Sequence, residues 1–94
     1  MSLTSDWTVS VDTVDSAVVR SIADSLNTVT EYHWHRAEDK SELYLNDATW
    51  YSMPTDMTVL SQLYTTVVFT VRGYGPAGAV WVHCYSGGKG GIVV

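Results

Sequence analysis

The chain has 94 residues, the length of one domain. Hydrophobic residues make up 46% of it and charged residues 16%, a balance that excludes an intrinsically disordered chain. Ten acidic and five basic side chains give a net charge of −5, which argues against nonspecific binding to nucleic acid or to an anionic membrane. The single cysteine, Cys84, excludes an intramolecular disulfide. Because the N-terminal residues carry no basic and apolar export signal, the sequence predicts a cytoplasmic protein.

Hydrophobic periodicity predicts the elements in the order β-α-β-β-α-β-β. Strict alternation predicts a first strand over residues 7–12, with Trp7, Val9 and Val11 facing the core. Apolar residues at steps of three and four predict one helix that is capped by Thr13 or Asp15 and ends at Asn27, and a second over residues 54–64. The other predicted strands cover residues 29–36, 42–46, 66–72 and 79–85, with a hairpin loop at 37–41 and a turn at 73–78.

This order predicts a single α+β domain over residues 1–94, with residues 1–6 and 86–94 flexible. Two helices that are each apolar on one side need a sheet to cover them. A β-α-β unit followed by a second one is the ferredoxin-like arrangement. The prediction is therefore a ferredoxin-like fold with an extra C-terminal strand and with two helices on one face of an antiparallel sheet.

The second half of the chain carries a series of residues that occurs in the same order in one known family. The series is Trp50-Tyr51, Asp56-Met57, Leu60-Ser61, Val68-Phe69-Thr70, Gly73-Tyr74-Gly75, Gly78, Trp81, Tyr85 and Gly88-Lys89. It resembles the YubB-like ferredoxin-fold domain of small phage and plasmid proteins, a family of unknown function. The chain departs from that family by having Arg72, Tyr74, Pro76 and Ala79 where acidic residues are usual. The resemblance implies a ferredoxin-like fold and an accessory protein of phage or mobile-element origin that acts in a bacterial host.

Two patterns that suggest catalysis or cofactor binding fail on physical grounds. The spacing Gly73-x-Gly75-x-x-Gly78 matches the dinucleotide fingerprint, but a strand and not a helix is predicted to follow it. A hairpin turn is therefore expected, and no cofactor. His83 and Cys84 are neighbours on a predicted strand, so their side chains point to opposite faces and the imidazole cannot activate the thiol. We expect no catalytic residues and no enzyme activity.

Three histidines raise the possibility of a metal site. His33 and His35 lie two residues apart on a predicted strand, so they share a face, and His83 on the last strand can share it as well. A closed metal site needs a fourth ligand, for which Glu31 is the one candidate close in sequence. Surface or interface histidines are the favoured interpretation, and no metal site is predicted.

The uncovered face of the sheet supplies the candidate binding residues. Aliphatic residues, among them Val80 and Val82, are assigned to the helix-covered face. The opposite face then receives a large aromatic and imidazole surface, which monomers rarely leave exposed. The predicted protein-binding residues are Tyr44, Val68, Trp81, His83, Tyr85, His33 and His35. A base-stacking role is not expected, because a net acidic chain has few cations to hold phosphates.

The sequence therefore predicts a non-enzymatic protein-binding accessory protein of phage or mobile-element origin, which acts on a bacterial host protein. The alternative is a self-associating structural protein whose aromatic sheet face forms a homodimer. Neither prediction includes a nucleic acid, a membrane or a small-molecule substrate as a partner.

Overall fold

The computed structural model describes residues 4–36 and 41–92, which contain two α-helices and one six-stranded sheet. The helices are α1 (Ser16–Thr30) and α2 (Met53–Leu63). The strands are β1 (Ser5–Val11), β2 (His35–Arg36), β3 (Glu42–Ala48), β4 (Phe69–Tyr74), β5 (Val80–Ser86) and β6 (Lys89–Ile92). The strand order is β2-β3-β1-β4-β5-β6, and each pairing is antiparallel. The predicted α+β class is confirmed. Residues 37–40 of the predicted hairpin loop lie outside the described residues.

Helix α1 begins where its sequence predicts. The Asp15 carboxylate accepts hydrogen bonds from the N–H groups of Ala17 and Val18, at 3.0 and 3.4 Å, which satisfies two donors that have no partner inside the helix. The side of the helix that carries Val19, Ile22 and Leu26 is buried. The predicted apolar stripe of α1 is therefore confirmed.

The end of α1 differs from the prediction. The helix continues through Val29 and Thr30, which are predicted to be strand residues on their β-branched side chains, and Glu31 caps its C-terminus. Glu31 has a left-handed backbone (φ 61°), and its N–H donates to the carbonyl of Asn27. The Thr30 hydroxyl donates to the Leu26 carbonyl at 2.6 Å, a bond that suits a helical threonine. Because the helix takes these residues, β2 is only two residues long.

One hydrophobic core contains the buried hydrophobic residues of both helices and of strands β1, β3 and β4. Val9 of β1 lies directly opposite Leu43 of β3 and Val71 of β4, and all three are fully buried. Phe69, Ile22, Leu26, Met57 and Leu60 extend the same cluster. The predicted inward positions of β1, β3 and β4 are thus confirmed. Tyr64, just after α2, ties the helices together through hydrogen bonds of its phenol to Ser21 and Ser25, at 2.7 and 2.9 Å.

The C-terminal segment from residue 86, which was predicted to be flexible, forms a hairpin as far as residue 92. Gly87 and Gly88 make its turn with positive φ angles of 58° and 83°, which glycine adopts without steric cost. The Gly88 N–H donates to the buried hydroxyl of Ser61 at 2.8 Å, so the turn is attached to α2. Gly87 and Gly88 therefore serve a tight turn. Within the described residues, no helix is long and apolar enough to cross a membrane.

Candidate functional site

All four tryptophans of the chain form one connected cluster. Ring centroids are 5.1 Å apart for Trp34 and Trp50, 5.3 Å for Trp50 and Trp7, and 5.6 Å for Trp7 and Trp81. Each pair is close to perpendicular, with interplanar angles of 69°, 80° and 73° in the same order. This edge-to-face geometry is the favourable one for aromatic rings and adds about 0.5–1.5 kcal/mol per pair to the burial energy.

Three of the four indoles line a cleft of about 210 Å³ at the end of the sheet where β1 begins and β3 ends. The lining residues are Ser5, Trp7, Ala48, Thr49, Trp50, Tyr51 and Trp81. We call this feature the aromatic cleft. Trp7 and Trp50 are buried, whereas Tyr51 at the rim is 87% exposed. No lining side chain carries a formal charge.

A β-bulge between β1 and β3 lies beside the aromatic cleft. The register between β1 and β3 shifts between Ser5 and Trp7, which pair with Ala48 and Leu45, and this gives β3 an extra residue. Asp47 occupies the bulge with a positive φ of 51°, and its N–H donates to the Asp6 carboxylate at 3.0 Å. The indole N–H of Trp7 donates to the Ala48 carbonyl at 3.1 Å. Bulges of this kind turn a strand end and often lie next to functional sites.

Trp50 is held by a buried carboxylate. Its indole N–H donates to Oδ2 of Asp56 at 2.7 Å, and the Ser52 hydroxyl donates to the same oxygen, also at 2.7 Å. Asp56 lies in the first turn of α2, where the partial positive charge of the helix N-terminus favours a carboxylate. The loop between β3 and α2 thereby fixes Trp50 and leaves its neighbour Tyr51 in solvent.

Trp81 packs against Gly73 of β4 and against Gly75, which follows the strand. A Cβ added to Gly73 would overlap the Trp81 ring, with Cζ2 only 2.8 Å away, and one added to Gly75 would lie 3.0 Å from Cζ3. The two glycines thus provide the space in which the indole packs. The predicted hairpin turn is confirmed, since Pro76–Gly78 form a single 3-10 turn and the Gly75 N–H donates to the Ala79 carbonyl. Gly73 and Gly75 both contact the Trp81 ring.

The predicted orientation of β5 is wrong. Trp81, His83 and Tyr85 lie directly opposite Gly73, Val71 and Phe69, so they share the face of the sheet that carries the core. Tyr85 is 4% exposed and its ring lies on Gly90, where a Cβ would come within 2.8 Å of the ring. Val80 is 53% exposed instead of buried. Valine and aromatic residues alternate along β5, and the phase that buries the larger rings over glycines is the one adopted.

The remaining predicted residues do not form one surface with β5. Tyr44 lies on the opposite face, where its phenol donates to Glu42 at 2.9 Å; this hydrogen bond raises the pKa of Tyr44, and desolvation and the Glu42 charge act in the same direction. His35 lies opposite Tyr44 and contacts His33, with the rings 5.3 Å apart. Val68 is exposed just before β4, and its N–H donates to Asp12 at 2.8 Å.

The three histidines do not come together as a set. His83 stacks on Tyr85 on the core side, whereas His35 lies on the other face of the sheet. Across residues 4–36 and 41–92, no group of three or more His, Cys, Asp or Glu side chains could hold a metal ion. The expectation that His83 shares a face with His33 and His35 is therefore wrong. Cys84 is half-buried and contacts the Thr70 hydroxyl, 3.7 Å from its sulfur.

Another depression, of about 290 Å³, lies between the helices and is more open to solvent. Asp24, Ser25, Thr28, Val29 and Leu63 line it. No ring and only one charged group borders it, so it offers a ligand less contact and less directional chemistry than the aromatic cleft.

Comparison of the chain with models of known protein families, with curated proteins and with solved structures found no match. The resemblance to YubB-like domains stays a prediction. Sequence reasoning did not select Trp7, Trp50 or Tyr51 as binding residues. The available signal was the Trp50-Tyr51 pair in an irregular segment just before a helix, since large aromatic residues in a loop are either anchored in the core or available to a ligand.

Proposed function

We propose that this chain is a non-enzymatic protein-binding domain whose binding site is the aromatic cleft. The observation that carries the proposal is the combination of two rigid, buried indoles with an almost fully exposed Tyr51 at the rim. Tryptophan and tyrosine dominate the binding energy of protein interfaces, because they bury a large area while few rotatable bonds are immobilised. Trp7 and Trp50 are already fixed by the fold, so little order has to be gained on binding.

The size of the cleft favours a side chain of a partner protein over a small-molecule substrate. Pockets for drug-sized ligands measure roughly 300–1,000 Å³. At about 210 Å³ the aromatic cleft takes one side chain and a little of its neighbours. The lining offers rings and hydroxyl groups but no acid, base or thiol that could act on a bound substrate.

For the fold behind this site, we propose a ferredoxin-like unit that is extended by one hairpin. The order β2-β3-β1-β4 and the antiparallel pairing of these strands support this assignment, as does the β-α-β-β-α-β order of the elements through β4. A single core that contains the buried residues of both helices supports their placement on one face. Strands β5 and β6 then extend the sheet beyond β4 and bring Trp81 to the cleft.

A bacterial host protein is the partner we propose, on the ground of the resemblance to YubB-like domains. Site-specific photo-crosslinking in host cells tests this: a crosslinkable residue in place of Tyr51 should trap one discrete protein. The same residue in place of Tyr74, which is also an exposed tyrosine but lies on the opposite face, is the matched control. Equal trapping from both positions, or none from position 51, would contradict a binding site at the cleft.

Self-association is the second candidate, and one observation favours it. Tyr74 and Val80 are direct partners on β4 and β5, and they expose 43% and 53% of their surface on the face opposite the core. A two-fold contact through this pair would cover apolar surface that a monomer leaves in water. Analytical ultracentrifugation of the wild type and of Val80→Lys tests it: a wild-type dimer that Val80→Lys converts to a monomer supports the candidate, and a wild-type monomer at high concentration excludes it.

A further inference from the structure

We infer that the aromatic cleft recognises a compact organic cation, the quaternary ammonium group of a trimethylated lysine in a partner protein. This inference rests on the proposed function, because it names the chemistry of the group that enters the cleft. It is carried by ring geometry, by the hydrogen bonds of the indoles and by the charge around the site.

The rings that line the cleft are nearly perpendicular to one another where they meet Trp7. Trp50 and Trp81 both contact Trp7 and are inclined to it by 80° and 73°, and all three rings line the same small cleft. Tyr51 adds a further ring at the rim. An assembly of perpendicular rings contacts a roughly spherical group on several sides at once, whereas a flat group meets only one ring face. Aromatic faces carry the negative part of the ring quadrupole, and cages of this type bind quaternary ammonium ions.

The hydrogen bonds of the two buried indoles leave their rings, and not their N–H donors, for a ligand. Trp7 donates to Ala48 and Trp50 donates to Asp56, so a ligand that must accept a hydrogen bond finds both donors in use. A carboxylate that accepts a hydrogen bond from an indole also polarises it and makes the ring more electron-rich. The buried Asp56 therefore strengthens the attraction of Trp50 for a cation.

The charges around the cleft have the complementary sign. Asp47 directly precedes the lining residue Ala48, and Asp56 lies behind Trp50, whereas Asp6 pairs with Tyr74 on the other face of the sheet. No basic residue occurs among the lining residues or next to them in sequence. All ten carboxylates of the chain lie within its first 56 residues, the part that supplies six of the seven lining residues. A cation approaching this end of the sheet is therefore attracted before it makes contact.

The absence of a carboxylate inside the lining selects among cations. An unmodified lysine ammonium is strongly hydrated, and a guanidinium brings five N–H donors that need acceptors. A trimethylated ammonium has no N–H group to satisfy, so it loses the least when it leaves water for a site made of rings. Its methyl groups also bury apolar surface against the indoles.

Titration with choline and its neutral carbon analogue, 3,3-dimethyl-1-butanol, separates charge from shape, with tryptophan fluorescence and indole N–H chemical shifts as the readout. Sodium chloride at the same concentrations is the control for ionic strength. We expect saturable binding of choline and at least tenfold weaker binding of the neutral analogue, a ratio that corresponds to about 1.4 kcal/mol. A short peptide that contains trimethyllysine should bind more tightly than the same peptide with unmodified lysine. Phosphatidylcholine vesicles should not bind.

Variants locate the site. Tyr51→Ala should weaken the binding of choline several-fold and Tyr51→Phe should restore most of it, because phenylalanine keeps the ring face. Tyr74→Ala is the matched control and should leave the affinity unchanged. If the neutral analogue binds as tightly as choline and depends on Tyr51, the cation assignment is wrong while the cleft remains a binding site. If neither probe binds but a residue at position 51 still crosslinks a protein, the cation inference alone fails. If choline does not bind and position 51 crosslinks no protein, the proposed function is wrong as well. Binding to the vesicles would instead assign the site to lipid.

Discussion

Replacement of Gly73 by alanine tests whether a bare stretch of β4 holds Trp81 in place. The added Cβ would overlap Nε1, Cε2 and Cζ2 of the Trp81 indole, with Cζ2 2.8 Å away, against the roughly 3.5–4.0 Å of an ordinary carbon contact. The indole must therefore move by about 1 Å or more, which would carry it away from Trp7. Overpacking of a buried position costs about 1–3 kcal/mol. For a domain of this length that cost lowers Tm by about 5–20 °C.

A matched control lies in the same sheet. Gly91 of β6 has no heavy atom within 4 Å of the position of an added Cβ, and its φ lies outside the left-handed range. Gly91→Ala should be neutral or slightly stabilising, since alanine loses less conformational freedom than glycine in a strand. The comparison separates the overlap with Trp81 from the general effect of a methyl group on a strand.

A double-mutant cycle with Trp81→Ala supplies the decisive measurement, with the free energy of unfolding taken from urea titrations. Without the indole, the methyl group at position 73 meets no obstacle, so Gly73→Ala should cost much less in the Trp81→Ala background than in the wild type. The coupling between the two positions should be about 1–3 kcal/mol. Strictly additive effects would show that the Trp81 ring does not lie on Gly73, and the description of that wall of the aromatic cleft would be wrong.

Three further predictions concern two hydrogen-bonded carboxylates and one buried phenol. Asp56→Ala should lower the free energy of unfolding by about 1–3 kcal/mol and shift or broaden the indole N–H resonance of Trp50, because the buried donor loses its acceptor. Asp24→Ala, at an exposed position, is the control. Equal effects of the two substitutions would contradict the hydrogen bond between Trp50 and Asp56. Asp15→Ala should cost about 1 kcal/mol through loss of the α1 cap, and an unchanged urea midpoint would count against that cap. Burial raises the pKa of Tyr85 in the folded state, so the associated stability is complete below the ordinary tyrosine pKa of about 10 and is lost as the pH rises through the folded-state value. Stability measured from pH 8 to 11 should fall more steeply for the wild type than for Tyr85→Phe, and parallel curves would refute the role of that burial.

The first strand, the helices and the central strands could be predicted because each buries a large face of one kind. Val9 and Val71 have polar neighbours in sequence, so only one phase of the alternation is compatible with a core. The cap of α1 is equally local, because the Asp15 carboxylate accepts hydrogen bonds from N–H groups only two and three residues further along the chain. These features depend on a few consecutive residues, and periodicity therefore identifies them.

The orientation of β5 could not be read from its own residues. Both of its faces are hydrophobic, with valines at 80 and 82 and rings at 81 and 85, so alternation alone leaves the phase undetermined. The decision is made on the neighbouring strands, where Gly73 and Gly90 leave room for the rings. Strand pairing has to be known before such a glycine can be matched to its aromatic partner, and the pairing is a property of the fold rather than of the segment. The predicted orientation of β5 is wrong for this reason.

Several residues that carry the resemblance to YubB-like domains make contacts that stabilise the fold. Trp50 bonds to Asp56, and Ser61 bonds to Gly88, so these pairs tie α2 to the neighbouring loop and hairpin. A chain can retain such residues for its fold alone, whatever it binds. Tyr51 is different, because 87% of its surface is in solvent and the fold gains little from a ring there. Its place beside the buried indoles makes it the residue of that series through which function, rather than stability, is most directly tested.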